Sequence, residues 1–319
     1  VNYTDVCILI PTLNEAATIG DLIKDFKKVG FSNILVIDGN SKDGTAQIAE
    51  LEGARVVLQT GKGKGQAMIQ AFELIESPYV IMVDGDGTYL AKEAPSLLEP
   101  ILVGKADHVI GNRLEKYSPG AFTKLNLVGN RLINLLFDIA YGVQLRDILS
   151  GYRAFTLDSI RELELNKTGF EIETEISVEC ILKKQLVEEV PITYLPRSEK
   201  GETKLNPVKD GIRIGSTIYR LAKVHNPMFY FGIIGFVFIM AGLLTGTYVV
   251  IEWLDGTTRI PLSVLTALFI IFGLQMFIFG MLSDLIVTLH RQTVSLIQEK
   301  NKQREITNRE KIIDGEDGK

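Results

Sequence analysis

The chain has 319 residues, 46% of them hydrophobic, a formal net charge of -5, two cysteines and three histidines. That length suits one large domain with something smaller, or two domains, and the negative charge argues against nucleic acid as the main partner. Cys7 and Cys180 have no metal-type spacing and read as reduced and buried.

In chain order, apolar runs of strand length stand at 6–10, 34–37, 56–58, 79–83 and 108–110, with helical patterns at 16–29, 45–52, 65–75 and 92–103. Alternating strands and helices predict a mostly parallel sheet covered on both faces. Ligands of such sheets bind beyond the carboxyl ends of the strands. Three strands here end in polar clusters: PTLNE after the first, DGNSKDGT after the second and DGDGT after the fourth. Three clusters opening on one edge point to one site. The short run VCILI before Pro11 is too brief for a signal peptide, and none is read there.

Each cluster has a bland and a chemical reading. Asp84 and Asp86 suit a solvated turn, or a site for Mg²⁺ or Mn²⁺ bridging to substrate phosphates. Gly85 and Gly87 would let a diphosphate approach the backbone. Asp38 at the end of the second strand is placed to accept hydrogen bonds from a ribose or base, with Ser41–Thr45 as a turn and helix N-cap. The loop GKGKG at 61–65 is a flexible basic loop or a phosphate cradle for Lys62 or Lys64. It lacks the Lys-Ser/Thr ending of a P-loop, which excludes a P-loop ATPase.

Further along, 121–141 and 207–225 are amphipathic helices that either pack on the sheet or lie on a membrane surface. The second carries Lys209, Arg213, Arg220 and Lys223 and reads as interfacial. Residues 228–251 and 260–284 then form two apolar runs, each longer than the roughly 20 residues needed to span a hydrocarbon core. They read as a transmembrane hairpin with Trp253 near the lipid surface. Basic residues gather beside both termini, including Arg291, Lys300, Lys302 and Arg304. This predicts a multi-pass cell-membrane protein with its N-terminal domain and both termini in the cytoplasm. Gly242 and Gly246 match a small-xxx-small pattern, read as ordinary membrane-helix glycine or as a homo-oligomer contact. The predicted boundaries are 1–206, 207–226, 227–286 and a charged tail at 287–319.

Together the motifs IPTLNE (10–15), IDGNSKDGT (37–45), GKG, DGD, GNR (111–113), DILSGYR (147–153) and RSEKGETKL (197–205) resemble family 2 glycosyltransferases over about 6–205. The last two resemble the polyprenyl-phosphate branch, the dolichyl-phosphate mannose synthase-like enzymes, of archaeal type. The resemblance implies a GT-A (Rossmann-like) α/β domain. Pro11, Thr12, Asn14, Glu15, Asp38, Asn40 and Gly85 would line the donor nucleotide pocket, with Lys62 or Lys64 nearby. Asp84 and Asp86 would hold the metal and the diphosphate. Arg113, Arg131 and Arg197, with Lys204, would grip the acceptor phosphate. Two positions depart from the family pattern: Gly39 stands where a second Asp is usual, and Thr88 where some relatives have Gln.

The implied reaction moves a sugar from a nucleotide-sugar to dolichyl phosphate, with inversion, for protein N-glycosylation or related glycan assembly. UDP-GlcNAc is the first expectation for the donor, then UDP-glucose and GDP-mannose. A phosphate monoester with a second pKa of about 6 is already an anion at neutral pH and needs no strong general base. It needs arginines to position it. Histidine scarcity fits, since His108, His225 and His290 lie outside every motif. A processive polysaccharide synthase would need a QxxRW motif, yet the only tryptophan is Trp253. A non-catalytic, membrane-tethered nucleotide-binding protein would not need intact acidic and arginine motifs.

Overall fold

The computed structural model describes residues 3–166, 169, 171–197 and 207–316, with backbone alone at 207–210, 221–225, 290–292 and 294–316. Residues up to Leu221 form one compact unit and those from Ala222 a second.

The first unit is built on a seven-stranded sheet of order β3-β2-β1-β4-β6-β5-β7. Its strands are β1 (Val6–Thr12), β2 (Ile34–Asp38), β3 (Arg55–Leu58), β4 (Tyr79–Met82), β5 (His108–Tyr117), β6 (Arg153–Thr156) and β7 (Val187–Tyr194). Strands β1, β2 and β4 are apolar without alternation because helices cover both faces. Helices α1 (Ile19–Val29), α2 (Thr45–Leu51) and α4 (Ala94–Leu102) close one face over Ile8, Ile10, Val36 and Ile81. Helices α3 (Lys64–Leu74), α6 (Leu157–Arg161) and α7 (Ile172–Leu182) close the other over Leu9, Ile37 and Met82.

All neighbouring strands are parallel except β6, which runs antiparallel to both β4 and β5. The reversal has a direct consequence. Met82 at the end of β4 pairs with Arg153 at the start of β6, so the DILSGY loop before β6 arrives at the carboxyl edge. The ends of β5 and β7 point to that edge too. The chain order reverses between β1 and β4, the switch point where open α/β sheets leave a crevice.

Helix α5 (Lys124–Tyr141), started by the Thr123 side chain accepting from the Asn126 N–H, is amphipathic in both senses expected of it. Asn130, Ile133, Asn134, Phe137 and Ala140 are buried, while Leu125, Val128, Leu132, Leu135 and Ile139 form an exposed stripe on the opposite side. Helix α8 (Pro207–His225) buries Ile214, Thr217 and Ile218, and Tyr141 Oη donates to the Ile218 carbonyl at 3.4 Å. That part of α8 therefore packs on the first unit, while Ile212, Arg213 and Arg220 stay exposed.

In the second unit, α9 (Pro227–Leu254) and α10 (Ile260–Glu316) pack against each other. Their segments Pro227–Leu254 and Ile260–Leu289 are long and apolar enough to cross a membrane, and little of either is buried. A core helix of a soluble domain would be buried, so this exposure favours lipid. Glycines make the contact: a side chain at Gly235 would meet the Gly273 carbonyl at 2.7 Å, and one at Gly242 would meet Ile270 at 2.7 Å. Thr266 Oγ1 donates to Thr245 Oγ1 at 3.0 Å between the same helices. Gly242 and Gly246 thus face α10 of the same chain, which corrects the expectation of a homo-oligomer contact through them.

Cys7 and Cys180 are free and buried, their thiols pushed up to about 12 by burial.

Candidate active site

The polar clusters after β1 and β2 are one stitched surface. Asn14 and Asn40 adopt left-handed backbone, φ 51° and 63°, which Asn tolerates better than other side chains. The Asn14 N–H donates to Ser41 Oγ at 2.8 Å, and Asn14 Oδ1 accepts from the Lys42 N–H at 2.9 Å. The Glu15 N–H donates to Thr45 Oγ1 at 2.9 Å, and the Ala16 N–H to Asp43 Oδ2 at 3.0 Å. Asn40 Nδ2 reaches the Gln59 carbonyl at 3.3 Å.

Asp38 differs from expectation. It is 1% exposed, and its carboxylate accepts from Thr12 Oγ1, the Ser41 N–H and Ser41 Oγ at 3.2, 2.8 and 2.6 Å. These bonds close the loop after β2 onto its own first residue, and they make Asp38 a loop anchor rather than an open ligand contact. The turn and helix N-cap fall within 41–45, as expected. Helix α2 follows Gly44 in left-handed backbone, and Asp43 accepts from both the N–H and the hydroxyl of Thr45.

The ends of β1 and β4 nearly touch. A side chain at Gly85 would meet the Thr12 methyl at 2.9 Å, and Thr18 Oγ1 donates to the Gly85 carbonyl at 2.6 Å. Thr12 therefore borders the Asp-Gly-Asp turn. Each aspartate of that turn carries a basic partner. The Lys64 ammonium lies on both Asp84 Oδ1 and Glu173 Oε1. Arg197 grips Asp86 Oδ2 through Nε at 2.8 Å and Nη2 at 2.7 Å. The Thr88 hydroxyl and N–H both donate to Asp86 Oδ1, at 2.6 and 3.2 Å. Thr88 thus orients Asp86 instead of standing as a separate ligand. Burial alone would favour the neutral amine at Lys64, but Asp84 and Glu173 outweigh it and the ammonium is held well above its usual range. Arg197 is likewise opposed by burial and raised on balance by Asp86.

The four basic groups expected at an acceptor phosphate are not equivalent. Arg197 is at the turn. Arg113, midway along β5, is buried and forms a bidentate pair with Asp147 through Nε at 2.8 Å and Nη2 at 2.7 Å. Its guanidinium also lies against the rings of Tyr194 and Phe122, 5.2 and 5.6 Å from their centroids. This corrects the picture of Arg113 as a simple phosphate grip, because two of its donors hold the DILSG loop. Removing Asp147 alone would strand a buried guanidinium, at a cost of about 3–5 kcal/mol. Arg131 is exposed on α5. Lys204 lies outside the described residues. Lys62 is exposed on its glycine loop, and of that loop's two lysines it is Lys64 that reaches Asp84.

The residues that sequence reasoning missed lie in DILSGYR and in α7. Fully buried Arg153 donates to the Ser150 and Ile148 carbonyls at 2.8 and 2.6 Å and so fixes the loop backbone. Tyr89 Oη accepts from the Gly151 N–H at 3.1 Å. A side chain at Gly151 would overlap the Asp84 carboxylate, so the missing Cβ is the space Asp84 occupies. On α5, Asn134 bonds the Arg146 carbonyl and accepts from the Ile148 N–H at 3.3 Å. Asn134 thereby ties that helix to the same loop.

The donor set fits a hard divalent cation that shares its shell with a ligand. Asp84 and Asp86 offer oxygens alone, and no group of three or more His, Cys, Asp or Glu able to hold a metal exists among the described residues. The protein's share would be two carboxylates, the usual pattern when phosphates and water complete an Mg²⁺ or Mn²⁺ shell.

An open, mostly parallel sheet with a carboxylate pair after β4 and basic groups on β5 and beyond β7 has the arrangement of the GT-A fold. Residues 7–164 match the model of glycosyl transferase family 2. Glycosyltransferase AglJ of Haloferax volcanii is 49% identical over 92% of this chain and 97% of its own length. A dolichyl-phosphate hexose transferase of the same organism is 32% identical over 69% of this chain and 94% of its own. Among solved structures, glucosyl-3-phosphoglycerate synthase from Mycobacterium tuberculosis superposes with TM-score 0.57 at 20% identity, covering 68% of this chain and 79% of that one. This last likeness is one of fold. The chain belongs to glycosyl transferase family 2 and is a glycosyltransferase.

Proposed function

We propose that the protein transfers a sugar from a nucleotide-sugar to a polyprenyl phosphate of the dolichyl type at a membrane surface. The carrying observation is Arg197 seated on Asp86, which sets an anion-binding guanidinium beside the carboxylates that would hold the donor diphosphate. The names of two relatives support the acceptor class: a dolichyl-phosphate hexose transferase and an undecaprenyl-phosphate mannosyltransferase, the latter 31% identical over 63% of this chain. The apolar helices α9 and α10 and the exposed leucine stripe of α5 support a lipid environment. Basic residues beside both termini support a cytoplasmic catalytic domain.

Asp84 and Asp86 would hold the Mg²⁺ or Mn²⁺, which when bound offsets the charge of the leaving nucleoside diphosphate. A solved structure of the same fold holds Mn²⁺ and UDP-glucose, in keeping with that assignment. The paired loops after β1 and β2 form the wall for the nucleoside, and Lys64 stands at the phosphates. Arg197 and Arg131, with Lys204, would neutralise and aim the acceptor phosphate, whose oxygen attacks the anomeric carbon in line and inverts it. The acceptor arrives ionised, so no base is required. His108 is buried in the sheet, stacked on Phe155 at 4.4 Å, and plays no part. We infer UDP-GlcNAc as the donor, ahead of UDP-glucose and GDP-mannose.

The test uses the full chain in detergent with Mg²⁺ or Mn²⁺, dolichyl phosphate and a panel of nucleotide-sugars, with products read by mass spectrometry. A dolichyl-phospho-sugar should form with one donor. Nucleoside diphosphate released equally fast without the lipid would defeat the acceptor assignment.

A further inference from the structure

Glu173 lies outside the motifs of the donor and acceptor sites, yet its side chain is 6% exposed and lies on the Lys64 ammonium together with Asp84. It comes from α7, whose first turn the fold brings to the carboxyl edge against α3, the helix that Lys64 begins. A carboxylate removed from water to this degree needs a cation beside it. Lys64 already has one in Asp84, so a second requires a reason.

Counting charges supplies it. Lys64 with Asp84 alone is a closed, neutral pair that offers little to a divalent cation. Lys64 between two carboxylates leaves one net negative charge at the turn. When Asp84 turns to a divalent cation, the ammonium is repelled, and an unsupported lysine side chain would swing into solvent. A buried carboxylate behind it holds it in the cleft. An ammonium has three donors, so a third stays available after Asp84 and Glu173 have each taken one, and a phosphate oxygen is the natural acceptor.

We propose that Glu173 is a positioning residue of the donor site, acting through Lys64. It keeps the ammonium beside the phosphates of a metal-bound nucleoside diphosphate once Asp84 is engaged. The proposal rests on the donor-site reading above and goes beyond it by assigning a partner for Lys64.

A double-mutant cycle on the full chain in detergent tests it, using Glu173→Gln, Lys64→Met and the pair. Binding of UDP, or of GDP if the wild type prefers it, is measured by calorimetry with Mn²⁺, and melting temperature reports folding. Glu173→Gln should weaken Mn²⁺-dependent nucleotide binding about tenfold and raise the donor KM with little change in kcat. In the Lys64→Met background the same change should do nothing further. An equal loss in both backgrounds, or no loss in either, overturns the proposal while leaving the donor site standing. If the wild type binds neither nucleotide with Mn²⁺, the donor reading falls, and this proposal with it. Should Glu173→Gln alone fail to fold, the Lys64→Met protein is compared with the pair variant, in which that ion pair is removed whole. Equal, weakened affinity in those two supports the proposal, and a further loss in the pair overturns it.

Discussion

Asp86 and Arg197 form the contact from which most of the chemistry follows. Asp86→Ala should abolish transfer with the melting temperature kept within a few degrees, and near-normal turnover would remove the metal assignment. Arg197→Ala should raise the acceptor KM more than the donor KM, whereas equal losses would move Arg197 to the donor side. Gly151 carries a sharper prediction because its Cα lies against the Asp84 carboxylate. Gly151→Ala must displace one or the other, and small misplacements at a reacting centre cost on the order of a hundredfold. Such a loss in kcat/KM, with the fold intact by circular dichroism, is expected. Wild-type turnover would show that Asp84 need not stay where it is. The two aspartates were legible in sequence because hard-ligand residues ended an apolar strand. Asp147, Gly151 and Glu173 were not, since each matters through a partner distant in the chain: Arg113, Asp84 and Lys64.

Among the elements, β1 to β4 and their helices fall within a few residues of their predicted ends, because unbroken apolar runs and helical spacing are strong signals. Strand β5 runs well beyond its predicted end, through Lys116 and Tyr117, along β7 past an irregularity in register. Strand β6 is four residues long and antiparallel, with no signal of its own. Helix α7 buries Glu173, Glu175 and Glu179 among apolar neighbours and so breaks the binary pattern a reader relies on. On β5, His108 is a buried imidazole whose pKa burial, with some help from Arg153, holds well below the usual 6.5. Below about pH 6.5 the unfolded chain therefore takes up a proton that the folded chain refuses. Stability is lost as pH falls from there toward the folded pKa, at up to about 1.4 kcal/mol per pH unit. His108→Gln should flatten the fall in melting temperature between pH 7 and 5, and an unchanged acid limb would assign the loss to other groups. For α5, Leu132→Glu with Leu135→Glu should reduce transfer to long-chain polyprenyl phosphate in vesicles about tenfold, and spare a short, water-soluble acceptor. Equal loss with both would mean the stripe serves folding rather than lipid contact.

At the scale of the molecule, two units of different character share one chain, a soluble-type sheet domain and a pair of long apolar helices. The hairpin was legible because uncharged runs of spanning length are rare elsewhere. Its glycines had two readings in sequence because a small-residue pattern does not say which helix it faces. Gly235→Leu would drive a side chain into the Gly273 carbonyl, and should lower the melting temperature in detergent by several degrees. Gly256→Leu would meet no neighbour, but its φ of 83° disfavours a side chain, so Trp253→Leu, exposed in the last turn of α9, is the better control and should melt like the wild type. If Gly235→Leu melts like that control, close helix contact contributes nothing to stability. The meeting of Gly151 with Asp84 also has an evolutionary side. A descendant cannot acquire any side chain at 151 while Asp84 stays where it is, so drift there must wait for the strand end to change first. Two stretches of the gene far apart in reading order are thereby bound to one history, and loss of the aspartate would be the step that frees the loop to wander.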